Sequence, residues 1–208
     1  MTGAGVNFGC QHSHSLEGMF TCVPGIKVVL PSTSYDCKGL LKSAIRDDNP
    51  VIFLDHKVFN ISNQRDMIPE EDFTVPLGKA DIKREGGDIT VVATGLMVQR
   101  ALAAAATLQE KSISIEVVDP RTLVPLDKQT IIDSVKKTGR LVVFTEECRT
   151  GSLAGEIAAI VAEEAFDYLN APIKKVTAPD MPVPCGTMLE KAYMPDEKDL
   201  IKAVTGLM

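Results

Sequence analysis

Short, fully apolar runs alternate with stretches of helical period along most of the chain. Residues 16–22 read as a brief helix ended by Pro24 and Gly25, and residues 26–30 as a strand stopped by Pro31. Ser32, Thr33 and Ser34 then offer capping hydroxyls to a helix whose apolar positions Cys37, Leu40, Leu41, Ala44 and Ile45 recur at three and four. Asp47, Asp48, Asn49 and Pro50 end it, and residues 51–54 form a second apolar strand. Buried strands separated by helices predict an α/β unit with a parallel sheet covered on both faces. Two strands are too few to close such a sheet. Residues 57–87 are polar, carry Pro69, Pro76 and three glycines, and read as a linker running into an edge segment, with a domain boundary near residue 75. The alternation then restarts. Strands are expected at 89–93, 113–118, 141–145 and 173–176, and helices at 96–109, 127–137, 154–168 and 197–205. This second unit, residues 76–208, is expected to be a complete small α/β domain after a partial one at 1–75.

Composition narrows the function classes. The 208 residues hold 22 Lys and Arg against 28 Asp and Glu, a formal charge of −6, which disfavours nucleic acid or anionic lipid as partner. The five cysteines, Cys10, Cys22, Cys37, Cys148 and Cys185, include no C-x-x-C pair and fit reduced thiols better than a disulfide framework or structural zinc. No apolar run is long enough to span a bilayer, so a cytoplasmic protein without membrane partners is expected.

The histidines are His12, His14 and His56. His12 follows a glycine-rich opening and precedes a helix, a place where a side chain can project into a cleft, although a surface loop histidine fits the spacing equally well. His-x-His lacks a nearby third metal ligand. His56 lies in Asp55-His56-Lys57 and reads as part of a solvated charge cluster. No phosphate-binding loop, nucleophile elbow or dinucleotide fingerprint is present. Thr94-Gly95 and Thr150-Gly151 follow strands where α/β sheets bind ligands, but tight turns explain them too. Glu146 and Glu147, adjacent on a strand and therefore facing opposite ways, read as structural.

The residues Gln11-His12-Ser13-His14-Ser15-Leu16-Glu17, Val23-Pro24-Gly25-Ile26-Lys27-Val28-Val29-Leu30-Pro31 and Tyr35-Asp36-Cys37-Lys38-Gly39 resemble the β-subunit of thiamine-diphosphate-dependent 2-oxo acid dehydrogenases. The resemblance continues through Ala44-Ile45-Arg46-Asp47-Asp48-Asn49-Pro50, Asp119-Pro120-Arg121-Thr122-Leu123-Val124-Pro125 and Ala178-Pro179-Asp180-Met181-Pro182. Acetoin and pyruvate dehydrogenase β-subunits look most similar.

That resemblance implies a pyrimidine-binding domain followed by a transketolase-type C-terminal domain. It maps His12 onto the family histidine that protonates or orients the lipoyl group during acyl transfer, with His14 standing where the family usually has Gln. It implies a potassium ion held by Ala44, Ile45, Asp47 and Asn49, against the plainer reading of a helix-stopping turn. It further implies thiamine diphosphate with Mg2+ bound mostly through an E1 α-subunit, a second β-subunit in a heterotetramer, and a lipoyl acyltransferase, E2, as acceptor. Family β-subunits are longer at the N-terminus, where the cofactor-activating glutamate lies. No residue here is assigned to cofactor binding, and the isolated chain is expected to be inactive. A eukaryotic source would place the protein in the mitochondrial matrix. The alternatives are a non-catalytic dimerisation or E2-docking module, or a split transketolase or deoxyxylulose phosphate synthase relative.

Overall fold

The computed structural model describes residues 1–61 and 67–208. Two sheets carry the fold. A three-stranded sheet has the order β2-β1-β6, with β1 at Lys27–Val29, β2 at Val51–Phe53 and β6 at Thr122–Val124. A five-stranded sheet has the order β3-β5-β4-β7-β8, with β3 at Asp81–Arg84, β4 at Ile89–Ala93, β5 at Ile115–Asp119, β7 at Leu141–Cys148 and β8 at Lys174–Ala178. Strands β5, β4, β7 and β8 run parallel, while β3 lies antiparallel at the edge beside β5.

The three-stranded sheet departs from expectation in an instructive way. The apolar runs predict β1 and β2, and these pair in parallel with Val28 opposite Ile52. The third strand comes from the other end of the chain: β6 pairs antiparallel with β1, placing Val124 opposite Val28. The later residues thus complete a sheet that the earlier ones begin. The stretch from residue 57 also differs from a plain linker, since α4 occupies Lys57–Ile61 before the polar run leads to edge strand β3. Residues 62–66 of that stretch lie outside the described residues.

Helices form where cap and period agree. In α3 (Ser34–Ile45) the Thr33 hydroxyl accepts from the Asp36 amide at 3.0 Å, as its place before an apolar-periodic stretch predicts. Asp127 caps α6 (Lys128–Thr138), and α9 (Glu197–Thr205) starts on a reciprocal box between Asp196 and Asp199. The remaining helices are α1 (Gly9–His12), α2 (Glu17–Thr21), α5 (Leu96–Glu110), α7 (Leu153–Glu164) and α8 (Thr187–Tyr193). No described helix is long and apolar enough to cross a membrane.

Strand β4 is buried along its whole length, as a central parallel strand covered on both faces must be. One core packs α5 and α9 on Val91, Val117 and Phe144. The other packs α6 and α7 on Val92, Val118 and Val143 and continues without a break to Val28, Leu30 and Leu54 beside the three-stranded sheet. The shared core holds the two sheets together. A polar junction reinforces it: Asp36, in the first turn of α3, meets Lys83 at 2.5 Å and Arg121 at 3.0 Å, while Ser32 donates to Asp119 at 2.5 Å.

Candidate active site

The candidate site is built on the glycine-rich opening. Thr2 lies beside His56 in a parallel bridge, its amide donating to the Asp55 carbonyl and its carbonyl accepting from the Lys57 amide. The chain therefore starts against the carboxyl end of β2, the end where parallel sheets place ligands. It then turns sharply. Gly3 has φ +88°, and a Cβ there would stand 2.0 Å from His56 Nε2, so both conformation and space require glycine.

Carboxylates of the later residues grip the amides of this turn. Ala4 N–H donates to Glu146 Oε1 at 2.5 Å, Gly5 N–H to Glu190 Oε1 at 3.0 Å, and Asn7 N–H to Glu190 Oε2 at 2.7 Å. Glu146 also accepts from the Ser15 hydroxyl at 3.2 Å and contacts His56 Nε2 at 2.8 Å. His56 Nδ1 accepts from the Val58 amide, so the ring's proton is assigned to Nε2, which donates to Glu146. Charged acceptors make these stronger than neutral hydrogen bonds.

This arrangement corrects the reading of Asp55-His56-Lys57 as a solvated cluster. His56 is 3% exposed and Lys57 4% exposed, with Lys57 Nζ donating to the Gly3 carbonyl at 3.1 Å. Polar neighbours in sequence made them look wet, whereas the opening segment covers them. Burial lowers the Lys57 pKa, and the charges of Glu146, Glu17 and Glu190 counter part of that shift.

Glu146 and Glu147 act as braces, in keeping with their structural reading. The pairing of β7 with β8 is irregular between Phe144 and Cys148. Glu147 accepts from Gly18 N–H at 2.8 Å and Leu153 N–H at 3.1 Å, so it secures α2 and the start of α7. Burial raises its pKa. Glu17 is buried beside them, accepts from the Thr2 hydroxyl at 3.1 Å, and leaves Oε2 without a hydrogen bond among the described residues. Its pKa is raised to about 8, first by burial and then by the charges of Glu147 and Glu146. Sequence reasoning missed the gripping roles of Glu146 and Glu190 and the burial of Glu17. The clue available was the adjacent pair Glu146-Glu147 at the end of an apolar strand.

His12 closes α1 and is exposed, its ring making no hydrogen bond or ion pair with the described residues. Ser13, the next residue, is fully buried, and the His14 carbonyl accepts from Gly3 N–H and the Thr2 hydroxyl. A surface imidazole thus precedes a buried serine and a carbonyl held by the opening segment. It is free to meet a second molecule.

Ala44, Ile45, Asp47 and Asn49 come together at the carboxyl end of α3 and the turn into β2. They sit at the start of the parallel pair β1-β2, the opposite end from Thr2 and His56. Lys27 approaches Asp47 Oδ2 at 2.5 Å, and Asn49 donates to Oδ1 from both its amide N–H and its side chain. The Lys27 hydrogen bond, aided by those of Asn49, holds the Asp47 pKa down to about 2. Among the described residues no three His, Cys, Asp or Glu side chains form a metal-binding group, so a cation here would rest on carbonyls and one carboxylate shared with Lys27.

Comparisons with known proteins agree on one family. Residues 78–200 match the transketolase C-terminal domain and residues 1–58 the transketolase pyrimidine-binding domain. The chain is 48% identical over 206 residues to the acetoin:2,6-dichlorophenolindophenol oxidoreductase β-subunit of Bacillus subtilis, covering 99% of this chain and 60% of that one. It is 46% identical over 194 residues to the 2-oxoisovalerate dehydrogenase β-subunit of the same species, covering 92% of this chain and 59% of that one. Against that species' pyruvate dehydrogenase E1 β-subunit the identity is 46% over 201 residues, covering 96% and 61%. The chain therefore spans about 60% of the length of these curated relatives. Among solved structures, a split-gene transketolase described as an inactive β4 tetramer superposes with TM-score 0.80 at 25% identity, over 99% of this chain and 64% of that one.

Proposed function

The chain belongs to the transketolase family, and from that premise we propose that it serves as the β part of a thiamine-diphosphate-dependent E1 component acting on acetoin or a 2-oxo acid. Its partners in this reading are an E1 α-subunit, a second β-subunit and a lipoyl-bearing acyltransferase, in the cytoplasm. The domain division at about residue 75 belongs to the same reading. The E1-type relatives support it over a docking module or a split transketolase. The observation that carries it is His12, an exposed imidazole at the end of α1, the short helix that follows an opening segment whose amides are clamped by Glu146 and Glu190.

Thiamine diphosphate supplies an activated carbon that accepts and releases the acyl group. The described residues do not fit its aminopyrimidine-activating role. The candidate carboxyl, Glu17, holds a proton near neutral pH but is 4% exposed and accepts from Thr2 instead of facing a cleft. The cofactor and its Mg2+ therefore rest mainly on surfaces outside the described residues, the α-subunit above all. His12 on an open surface needs that second wall to exclude water, so the chain alone gives no turnover.

The work of this chain falls to His12. When a lipoyl S–S bond opens, one sulfur takes the acyl carbon and the other leaves as a thiolate. His12 gives a proton to that thiolate, the general-acid role an imidazole side chain can fill. The clamp on Ala4, Gly5 and Asn7 holds the segment that leads into α1, the helix that ends on His12. K+ at the carbonyls of Ala44 and Ile45 with Asp47 and Asn49 is a structural ion in this reading, since an all-oxygen donor set suits a hard cation. Replacing K+ by choline should lower the unfolding midpoint, and an unchanged midpoint would remove the ion.

The test of the catalytic reading uses the chain assembled with its α-subunit. His12→Ala should cost acyl transfer to lipoamide about 100-fold or more, in line with general-acid contributions. Electron transfer to an artificial dye should fall far less. Equal loss in both assays would overturn the acid role.

A further inference from the structure

Two cysteines that the reading above leaves unused lie on neighbouring segments at α1. Cys10 lies inside α1, two residues before His12, and is exposed. Cys185 comes from the loop just before α8 and is also exposed. The loop bearing Cys185 packs on Gly9: a Cβ built there would stand 2.7 Å from Cys185 Sγ. That sulfur therefore touches the residue next to Cys10. Successive Cα atoms are about 3.8 Å apart, so the Cys10 Cα lies within roughly 8 Å of the Cys185 sulfur. Gly9 has φ +68°, a conformation glycine takes freely, and it supplies a pivot at the start of the four-residue helix.

We infer that Cys10 and Cys185 form a reversible dithiol–disulfide pair that ties α1 to the loop before α8. The oxidant is a low-molecular-weight disulfide. One cysteine thiolate attacks a sulfur of that reagent, forming a mixed disulfide and expelling one thiolate. The second cysteine thiolate attacks the protein sulfur of the mixed disulfide, forming the Cys10–Cys185 bond and expelling the other. Two protons leave the protein thiols and appear on the two reagent thiols, so the reagent is reduced by two electrons and the protein oxidised by two. Cys37 and Cys148 are less exposed, and Cys22, though exposed, donates to the Met19 carbonyl at the end of its own short helix. On the reading of His12 as acid, the bond would also fix the helix that carries it.

The test is disulfide mapping of the whole chain, which reads sulfur connectivity and not turnover, so it stands apart from the assignment of His12. The protein is incubated with oxidised glutathione, alkylated, digested and analysed by mass spectrometry. The expected result is the loss of two thiols per chain and a linked peptide pair containing Cys10 and Cys185, with no retained glutathione, reversed by dithiothreitol. Cys185→Ser should instead retain one glutathione on Cys10, and Cys10→Ser one on Cys185. Glutathione on both cysteines of the unaltered chain without a linked peptide, a bond to another chain, or no loss of thiols would each overturn the pair.

Discussion

Two polar junctions join the early and late residues, and they work by different means. At the first, Glu146, Glu147 and Glu190 accept from backbone amides of the opening segment and α2. At the second, Asp36 meets the cations Lys83 and Arg121 directly. Burial acts on both sets of carboxyls. It prevails at Glu17, whose pKa reaches about 8, and it loses at Asp36, where Lys83, Thr33 and Arg121 hold the pKa below 3.8. Asp119, 3.9 Å from Lys83 and bonded mainly to Ser32, is raised by burial to about 7. At these three carboxyls the sign follows whether a cation is in direct contact.

The sharpest break of the first junction is Gly3→Ala. Its Cβ would meet His56 Nε2 at 2.0 Å in a backbone of positive φ, so the opening segment must lift from Glu146. A loss of about 3 kcal/mol or more is expected in urea unfolding, and a variant as stable as the parent would show that the segment is not seated there. Asp36→Ala breaks the second junction by removing the buried carboxylate that Arg121 and Lys83 both meet, leaving them only the more exposed Asp81 and the more distant Asp119. About 3 kcal/mol is expected from a buried pair broken at one partner, read by the same unfolding curves.

Acidity separates the junctions further. Glu17 keeps its proton in the folded chain from its ordinary 4.5 up to about 8, where the unfolded chain has released it, so stability falls as pH rises through that window. Glu17→Gln should remove part of that fall, up to about 1.4 kcal/mol per pH unit, and the slope above pH 7 isolates it from Asp119. Asp36 acts in the opposite sense. Its contribution is present above 3.8 and is lost as pH falls through its lowered pKa. Asp36→Asn should therefore flatten the acid limb, and Glu17→Gln the alkaline one. The smallest effect expected is at an exposed pair outside both junctions: Lys128→Ala, which removes the contact with Glu164, should leave the urea unfolding curve close to that of the parent.

Legibility in the sequence followed burial and length. Strands β4, β5, β7 and β8 and helices α5, α6, α7 and α9 were readable because each is a long run with one period and clear ends. Strand β6 was not, because Thr122–Val124 sits between prolines and is a strand only through its pairing with β1. Helices α1 and α8 are too short to show a period. His12 rests on resemblance, and the structure adds that it is exposed. The grip on the opening segment was not legible, since Glu190 and Glu17 resemble solvated charges until distant residues cover them.

The most direct test of the clamp is amide hydrogen exchange at Ala4, Gly5 and Asn7 in the full chain. In the unaltered protein all three should be protected. Glu190→Ala should release Gly5 and Asn7 while Ala4, held by Glu146, stays slow. Rapid exchange of all three in the unaltered chain, or protection of Gly5 and Asn7 that survives the loss of Glu190, would contradict the claim that the late carboxylates hold the opening segment that leads to His12.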